Sequence, residues 1–189
     1  DEKPLSLLII AKPESAKTAI LKKYKQNKGI AYLTDCTAYG LTRDILPKVV
    51  SGEVKHMMIA DLITPLSKST KTRQAFVAFL NNLIEEGVAK ITTYGTVWDK
   101  EVNCGLIAAI TDDALKDGRR DWAKMGFLSR MLLFTYSYSI SFVYRIFGSL
   151  VEDKSAIAEP VELTFPSEPV DVVIPREIAE KLIPISAKI

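Results

Sequence analysis

The residues best suited to chemistry lie together near the start of the chain, as Ala11-Lys12-Pro13-Glu14-Ser15-Ala16-Lys17-Thr18. An apolar run from Leu5 to Ile10 leads into them, and a helix-like stretch from Thr18 to Tyr24 leads out. Strand, loop, Lys-Thr and helix form the setting of a phosphate-binding loop, whose pattern is G-x-x-x-x-G-K-[ST]. Such a loop surrounds phosphate oxygens with backbone N–H groups, while its lysine supplies charge and its hydroxyl binds Mg2+. Lys17 and Thr18 take the last two roles, with Pro13, Glu14, Ser15 and Ala16 as the wall of the cradle. The pattern asks for Gly at 11 and 16, and both are Ala, which matters wherever the backbone needs positive φ. A carboxylate at Glu14 repels the same phosphates that the loop would attract. The competing reading is a basic helix start that carries Lys-Thr incidentally.

A nucleotide site also needs an acid. Met57-Met58-Ile59-Ala60-Asp61 is an apolar strand ending in Asp, suited to holding Mg2+, but Leu62 stands where a Glu commonly follows. Asp61 serves equally as a turn or helix cap. Asp35, at the end of another apolar run, is a substitute base if it lies close by, and otherwise a loop cap.

These positions need a scaffold that brings several strand ends to one edge. Apolar runs alternate with helical patterns, which predicts an α/β domain with a largely parallel sheet. Strands are expected at 5–11, 29–34, 54–60, 104–111 and 128–136, and helices at 16–26, 41–50, 70–86, 119–125 and 139–151. Phe76, Phe79, Leu80, Leu83 and Ile84 recur at helical spacing, and Gly87 stops that helix. Segments 89–94 and 96–97 around Gly95 suggest a hairpin, and 112–118 reads as a polar loop. From Ala158 onward come Pro160, Pro166, Pro169, Pro175 and Pro184, with a strand-like 170–174 and a short helix at 175–182.

The chain has 189 residues, 48% of them hydrophobic and 25% charged, enough to bury one core and too apolar for disorder. A formal net charge of +2 does not by itself call for nucleic acid. Cys36 and Cys104 lack Cys-x-x-Cys spacing and a nearby histidine, which predicts reduced thiols, no metal site and a cytoplasmic setting. His56 precedes an apolar run and reads as the start of a strand. No apolar run is long enough to span a bilayer, since Arg130 and Arg145 interrupt the richest stretch. A chain that opens on Asp1 and enters a strand almost at once is expected of a domain excised from a longer protein, or of processing or a trimmed tag.

The order of parts resembles an AAA+ ATPase module, and most of all the minichromosome maintenance helicase branch. That branch has Ala directly before the loop lysine, as in Ala16-Lys17-Thr18, whereas Ala11, Lys12 and Glu14 depart from its Gly, Asp and Gly. Tyr39-Gly40-Leu41-Thr42 is similar to its Gly-Leu-Thr, and 81–110 is similar to its passage from helix through extended segments to the next strand. Phe127-Leu128-Ser129-Arg130-Met131-Leu132-Leu133-Phe134 is similar to its Leu-Ser-Arg-Phe-Asp-Leu-Ile-Phe. The resemblance covers roughly 5 to 136. It implies a three-layer P-loop NTPase fold with a five-stranded, mainly parallel sheet and the loop strand central. It implies ATP and Mg2+ as ligands, Thr111 as a sensor of the γ-phosphate or attacking water, and Arg130 as a finger reaching a neighbouring subunit. That last role requires an oligomer of like subunits. The bland readings are a hydroxyl ending a strand for Thr111 and a sheet-edge ion pair for Arg130.

Helicases of this kind contact DNA through basic or aromatic hairpin tips, which makes Tyr94, Trp98 and Lys100 candidates. The aromatics also fit a simple cover over a sheet edge. Two units are expected, an AAA+-like core at 1–151 and a proline-rich extension at 152–189 packing on it. The expected function is ATP binding with weak or partner-dependent hydrolysis in a DNA replication or DNA-processing protein, without a membrane partner. An inactive scaffold or DNA-recruitment domain is the rival, favoured by Ala11, Glu14 and Leu62. A small-molecule kinase, with Arg119-Arg120 as a lid, is the third reading.

Overall fold

The computed structural model describes residues 3–91 and 96–151. Five apolar strands pair side by side: β1 (Leu7–Ala11), β2 (Gly29–Leu33), β3 (Val54–Ile59), β6 (Gly105–Thr111) and β7 (Leu132–Thr135). Their order is β2-β3-β6-β1-β7, and every pairing is parallel. Two further strands, β4 (Val88–Ile91) and β5 (Thr96–Val102), form a separate antiparallel pair. The expectation of a largely parallel five-stranded sheet is met. The middle position, however, belongs to β6, and β1 lies between β6 and β7.

Near-continuous apolar strands fit a sheet covered on both faces. Because side chains alternate along a strand, Leu8 and Ile10 of β1, Met57 and Ile59 of β3, and Leu106, Ala108 and Ile110 of β6 share one face. There they meet Leu41, Leu46, Phe76, Leu80, Leu83, Trp122 and Phe127. Ile9, Met58 and Ala109 face the other way, onto Leu21 of α1 (Lys17–Lys22). One side of the sheet therefore carries α1. The other carries α2 (Ala38–Gly40), α3 (Leu46–Val50), α5 (Thr70–Asn81) and α6 (Asp112–Lys124). The short α4 (Ile63–Leu66) follows β3, and α7 (Ile140–Val151) follows β7.

Several local expectations change. The helix expected over 16–26 stops at Lys22 and continues as turns. The helix expected over 41–50 begins earlier, at Ala38, and runs through a π-helical turn at Leu41–Ile45 into α3. Segment 112–118 is the first half of α6 rather than a loop. Thr111 Oγ1 accepts from Ala114 N–H, and Asp112 and Asp113 occupy the electrically favourable first turn. Gly118 lies against the Trp122 ring and leaves no room there for a side chain, so the lone buried aromatic of α6 fits over it. The fifth strand is shorter than 128–136, because Leu128–Arg130 forms a 3-10 turn before β7. Among the described residues, no helix is long and apolar enough to cross a membrane. The expectations for 152–189 lie outside the described residues.

Candidate functional site

The parallel sheet brings the carboxyl ends of β1, β3 and β6 to one edge, where α/β sheets bind ligands. Ala11, the last residue of β1, is in register with Thr111, the last of β6. Ala11 is buried, and its φ is not among the positive ones, so its methyl group fits where the loop pattern asks for Gly. The backbone demand falls elsewhere. Glu14 and Ala16 both have φ of 59°, and Ala16 directly precedes α1. Left-handed backbone of this kind costs an L-residue with a Cβ about 1–2 kcal/mol.

Lys17 folds back over the loop. Its ammonium donates to the carbonyls of Ala11 at 2.7 Å and Lys12 at 2.6 Å, and to Ser15 Oγ at 3.2 Å. Ser15 Oγ in turn donates to the Lys12 carbonyl at 2.7 Å. Desolvation lowers the Lys17 pKa, and the charges of Asp112 and Asp61 oppose that shift. From the far side, the Tyr136 hydroxyl donates to the Ser15 carbonyl. Thr18 is exposed on the first turn of α1, and so are Pro13 and Glu14 in the loop.

Strand order ranks the acids. Adjacent strands lie about 4.8 Å apart, so Asp112, following β6, is one strand from the loop strand. Asp61, following β3, is two strands away, and Asp35, following β2, is three, roughly 14 Å. Asp35 is also bound to Lys68 Nζ at 2.7 Å, so it does not reach Lys17 as a base. Asp61 Oδ1 accepts from the Ile63 N–H at 3.1 Å, which is the turn-capping role, and the carboxylate stays exposed. Leu62 is fully buried in the main core, and its N–H donates to the Ala109 carbonyl. A carboxylate at that position would enter an apolar interior. Asp112 Oδ1 is buried without a hydrogen-bond partner, and its other oxygen lies 3.8 Å from Lys116 Nζ.

An unpartnered carboxylate oxygen, a second exposed carboxylate and a hydroxyl suit a hard cation. Mg2+ takes one or two carboxylates and completes its shell with water and substrate phosphate. Asp112, Asp61 and Thr18 fit it on those terms. Among the described residues, no group of three or more His, Cys, Asp or Glu forms a self-contained metal site.

Arg130 sits at the opposite edge. β7 begins level with Leu7, so Arg130 is roughly 13 Å or more from the end of β1 along the strand direction. Its guanidinium pairs with Glu85 at 2.5 Å and Glu86 at 3.2 Å, and donates to the Gly126 carbonyl at 2.7 Å. The bland ion-pair reading is thus realised within the chain. Of the hairpin residues, Tyr94 lies outside the described residues, as do the side chains of Trp98 and Lys100 on β5.

A different surface gathers positive charge. Lys25, Lys28 and Lys48 line a hollow of 550 Å³ at the start of β2, and an adjoining one adds Lys55. Glu53 alone opposes them, paired with Lys48 at 3.5 Å. Burial pushes the thiols of Cys36 and Cys104 up to about 12, so neither is a nucleophile near neutral pH.

Tyr136, Asp112 and the Glu85–Glu86 pair carry no motif of their own. Only the position of Asp112, directly after the Thr111 sensor candidate, offered a sequence signal. No protein-family model matches the chain, and no curated protein matches it.

Proposed function

We propose that the chain is an ATP-binding domain of the AAA+-like kind from a DNA-processing protein of the helicase class, with slow hydrolysis. One observation carries this reading: Lys17 closes over a loop turned through left-handed backbone at Glu14 and Ala16, at the carboxyl edge of a parallel sheet where β6 and β3 lead into Asp112 and Asp61. In this reading Lys17 leaves the Ala11 and Lys12 carbonyls and neutralises the β/γ-phosphates. Ser15 and the loop amides hold the remaining oxygens, while Pro13 supplies no donor. Thr18, Asp61 and Asp112 would hold Mg2+, which would supply charge neutralisation at the phosphate oxygens. Thr111 orients the attacking water from the end of β6, next to the loop strand.

Slow hydrolysis follows from Leu62, since the residue after Asp61 is committed to the core. Arg130 acts on a neighbouring subunit in this account, because its own loop lies at the other end of the sheet. That step needs an oligomer and release from Glu85 and Glu86. The lysine-lined hollow supports a nucleic-acid partner through phosphate neutralisation.

A second reading has its own support. Glu14 puts a negatively charged residue on the loop itself, and Arg130 is already satisfied within the chain, both of which favour an inactive scaffold. The kinase reading is weaker, since Arg119 and Arg120 lie roughly 12 Å along α6 from the Thr111 end. ATP turnover by the full chain, with and without single-stranded DNA, separates the three. The proposal expects slow turnover that DNA stimulates and Arg130→Ala abolishes. Absence of saturable ATP binding favours the scaffold, and DNA-independent transfer to a small acceptor favours the kinase.

A further inference from the structure

The lysine-lined hollow lies at the opposite edge of the sheet from the Lys17 loop, and its cations come from three separate elements. Lys25 and Lys28 stand on the turns that follow α1, Lys48 on α3 and Lys55 on β3. Gly29, with φ of 80°, ends those turns and starts β2 in backbone that suits glycine. The Lys55 stem passes over it, 3.9 Å from where a Cβ would stand, and Lys28 and Lys55 line the same recess. Glu53 is the one carboxylate among the described lining residues, so the hollow carries a charge of +3 against +2 for the whole chain. All four lysines are exposed, and Lys25, Lys28 and Lys55 take part in no ion pair among the described residues. Like charges gathered around one concavity repel one another, and a bound polyanion relieves that repulsion.

We infer that this hollow is a second anion site, independent of the nucleotide loop, and that it holds the phosphate backbone of single-stranded nucleic acid. The inference rests on the reading that the protein handles nucleic acid, and not on the Lys17 loop. Its cations are all lysines, point charges without the guanidinium fork that grips a single phosphate, so they suit a repeating backbone over one phosphorylated side chain. Its described lining includes no large exposed hydrophobic residue to anchor it in a bilayer. A concavity of 550 Å³ admits a strand that bends, whereas a duplex stays stiff over about 150 base pairs. No aromatic ring is among the described lining residues, so the strand is held by charge, without base stacking or choice of sequence. The five residues of β2 rise roughly 16 Å, and β1 lies three strands away, so roughly 20 Å separate the hollow from the loop. ATP and the strand therefore bind without competing.

Binding of a fluorescent oligothymidylate to the full chain, followed by anisotropy across a salt series, tests this. Each phosphate neutralised on a single strand contributes about −0.7 to the slope of log affinity against log salt, so the net charge of the hollow gives a slope of about −2. Lys28→Gln combined with Lys55→Gln should flatten the slope by about 1.4 and weaken binding about 20-fold at about 0.1 M salt. Glu53→Gln, which frees Lys48, should steepen it by about 0.7 and tighten binding, a gain that a misfolded protein does not give. Lys17→Ala should bind the oligonucleotide as the original does. An unchanged slope and affinity in the paired lysine variant overturns the hollow and leaves nucleic acid as a partner. Loss of the oligonucleotide in Lys17→Ala overturns its independence from the loop. Tighter binding of a duplex, or of anionic phospholipid vesicles, overturns the choice of occupant. If the unsubstituted chain binds no oligonucleotide even at low salt, the nucleic-acid reading fails and the hollow's role falls with it.

Discussion

Glu14 and Ala16 stand two residues apart in the loop and share the same left-handed backbone, φ 59°. The position that departs from the loop pattern most harmlessly is Ala11, in ordinary strand geometry at the end of β1. The strained positions are the two where a Cβ is held in backbone that glycine adopts freely. Strain of this kind persists where the surroundings enforce it, here through Lys17, Ser15 and Tyr136.

Glu14→Gly is therefore expected to be neutral or stabilising by up to about 1 kcal/mol, the relief of strain being partly offset by the greater freedom of glycine when unfolded. The same substitution removes a negative charge from the cradle and is expected to tighten ATP binding several-fold. Urea unfolding and nucleotide titration of the one variant check both. Weaker ATP binding by Glu14→Gly would contradict the account of the loop.

Asp112 is expected to act in opposite directions with and without Mg2+. Its carboxylate repels bare phosphates and attracts a bridging cation. In Asp112→Asn, ATP affinity measured with Mg2+ should fall about three- to ten-fold, and affinity measured with a chelator should rise. Parallel changes under both conditions would exclude the cation role.

Arg130 gives a prediction independent of any nucleotide. Its side chain is only 19% exposed and holds Glu85, Glu86 and the Gly126 carbonyl together. Arg130→Ala should lower unfolding free energy by about 2 kcal/mol, in the range of hydrogen bonds to charged groups. Glu85→Gln or Glu86→Gln alone, at more exposed carboxylates, should cost less than about 1 kcal/mol. Chemical denaturation of the three variants checks the ranking. An Arg130→Ala protein as stable as the original would mean that these contacts are incidental.

His56 provides the expected pH dependence. Burial lowers its pKa, and a hydrogen bond with the Leu5 backbone only partly opposes that shift. The ring occupies space that Gly105 leaves open on the neighbouring strand. A depressed folded-state pKa means that the unfolded chain binds the proton more readily, so this contribution to stability is full above the ordinary histidine pKa of about 6.5. It is lost as pH falls from there through the folded value. The urea midpoint should decline between pH 7.5 and 5.5, and the decline should be shallower in His56→Gln. An equal slope in the variant would assign it to other groups.

The sheet was legible because its inner strands are largely buried and therefore near-continuously apolar, as in Leu106 to Ile110 of β6. The first half of α6 was not, because Asp112–Gly118 contributes no fully buried residue and Trp122 alone of this helix is buried. Its signal was instead the cap at Thr111 followed by Asp112 and Asp113, which also suits a turn. The loop itself was readable from its Lys-Thr and its flanking strand and helix. What engages it was not. Tyr136 lies 121 residues from Ser15, and Arg130 lies 44 from Glu86, so both contacts exist only through the sheet order. No local pattern encodes a strand slipping in between β1 and β3, yet that placement makes Asp112 the nearest of the three strand-end acids Asp112, Asp61 and Asp35.

The central claim is that Lys17 closes a nucleotide-phosphate site at the end of β1. Equilibrium binding of ATP to the full chain with Mg2+, set beside Lys17→Ala, tests it most directly. The account predicts saturable binding that weakens at least about ten-fold in Lys17→Ala. ATP binding of equal strength in both proteins, or none in the original, would contradict it.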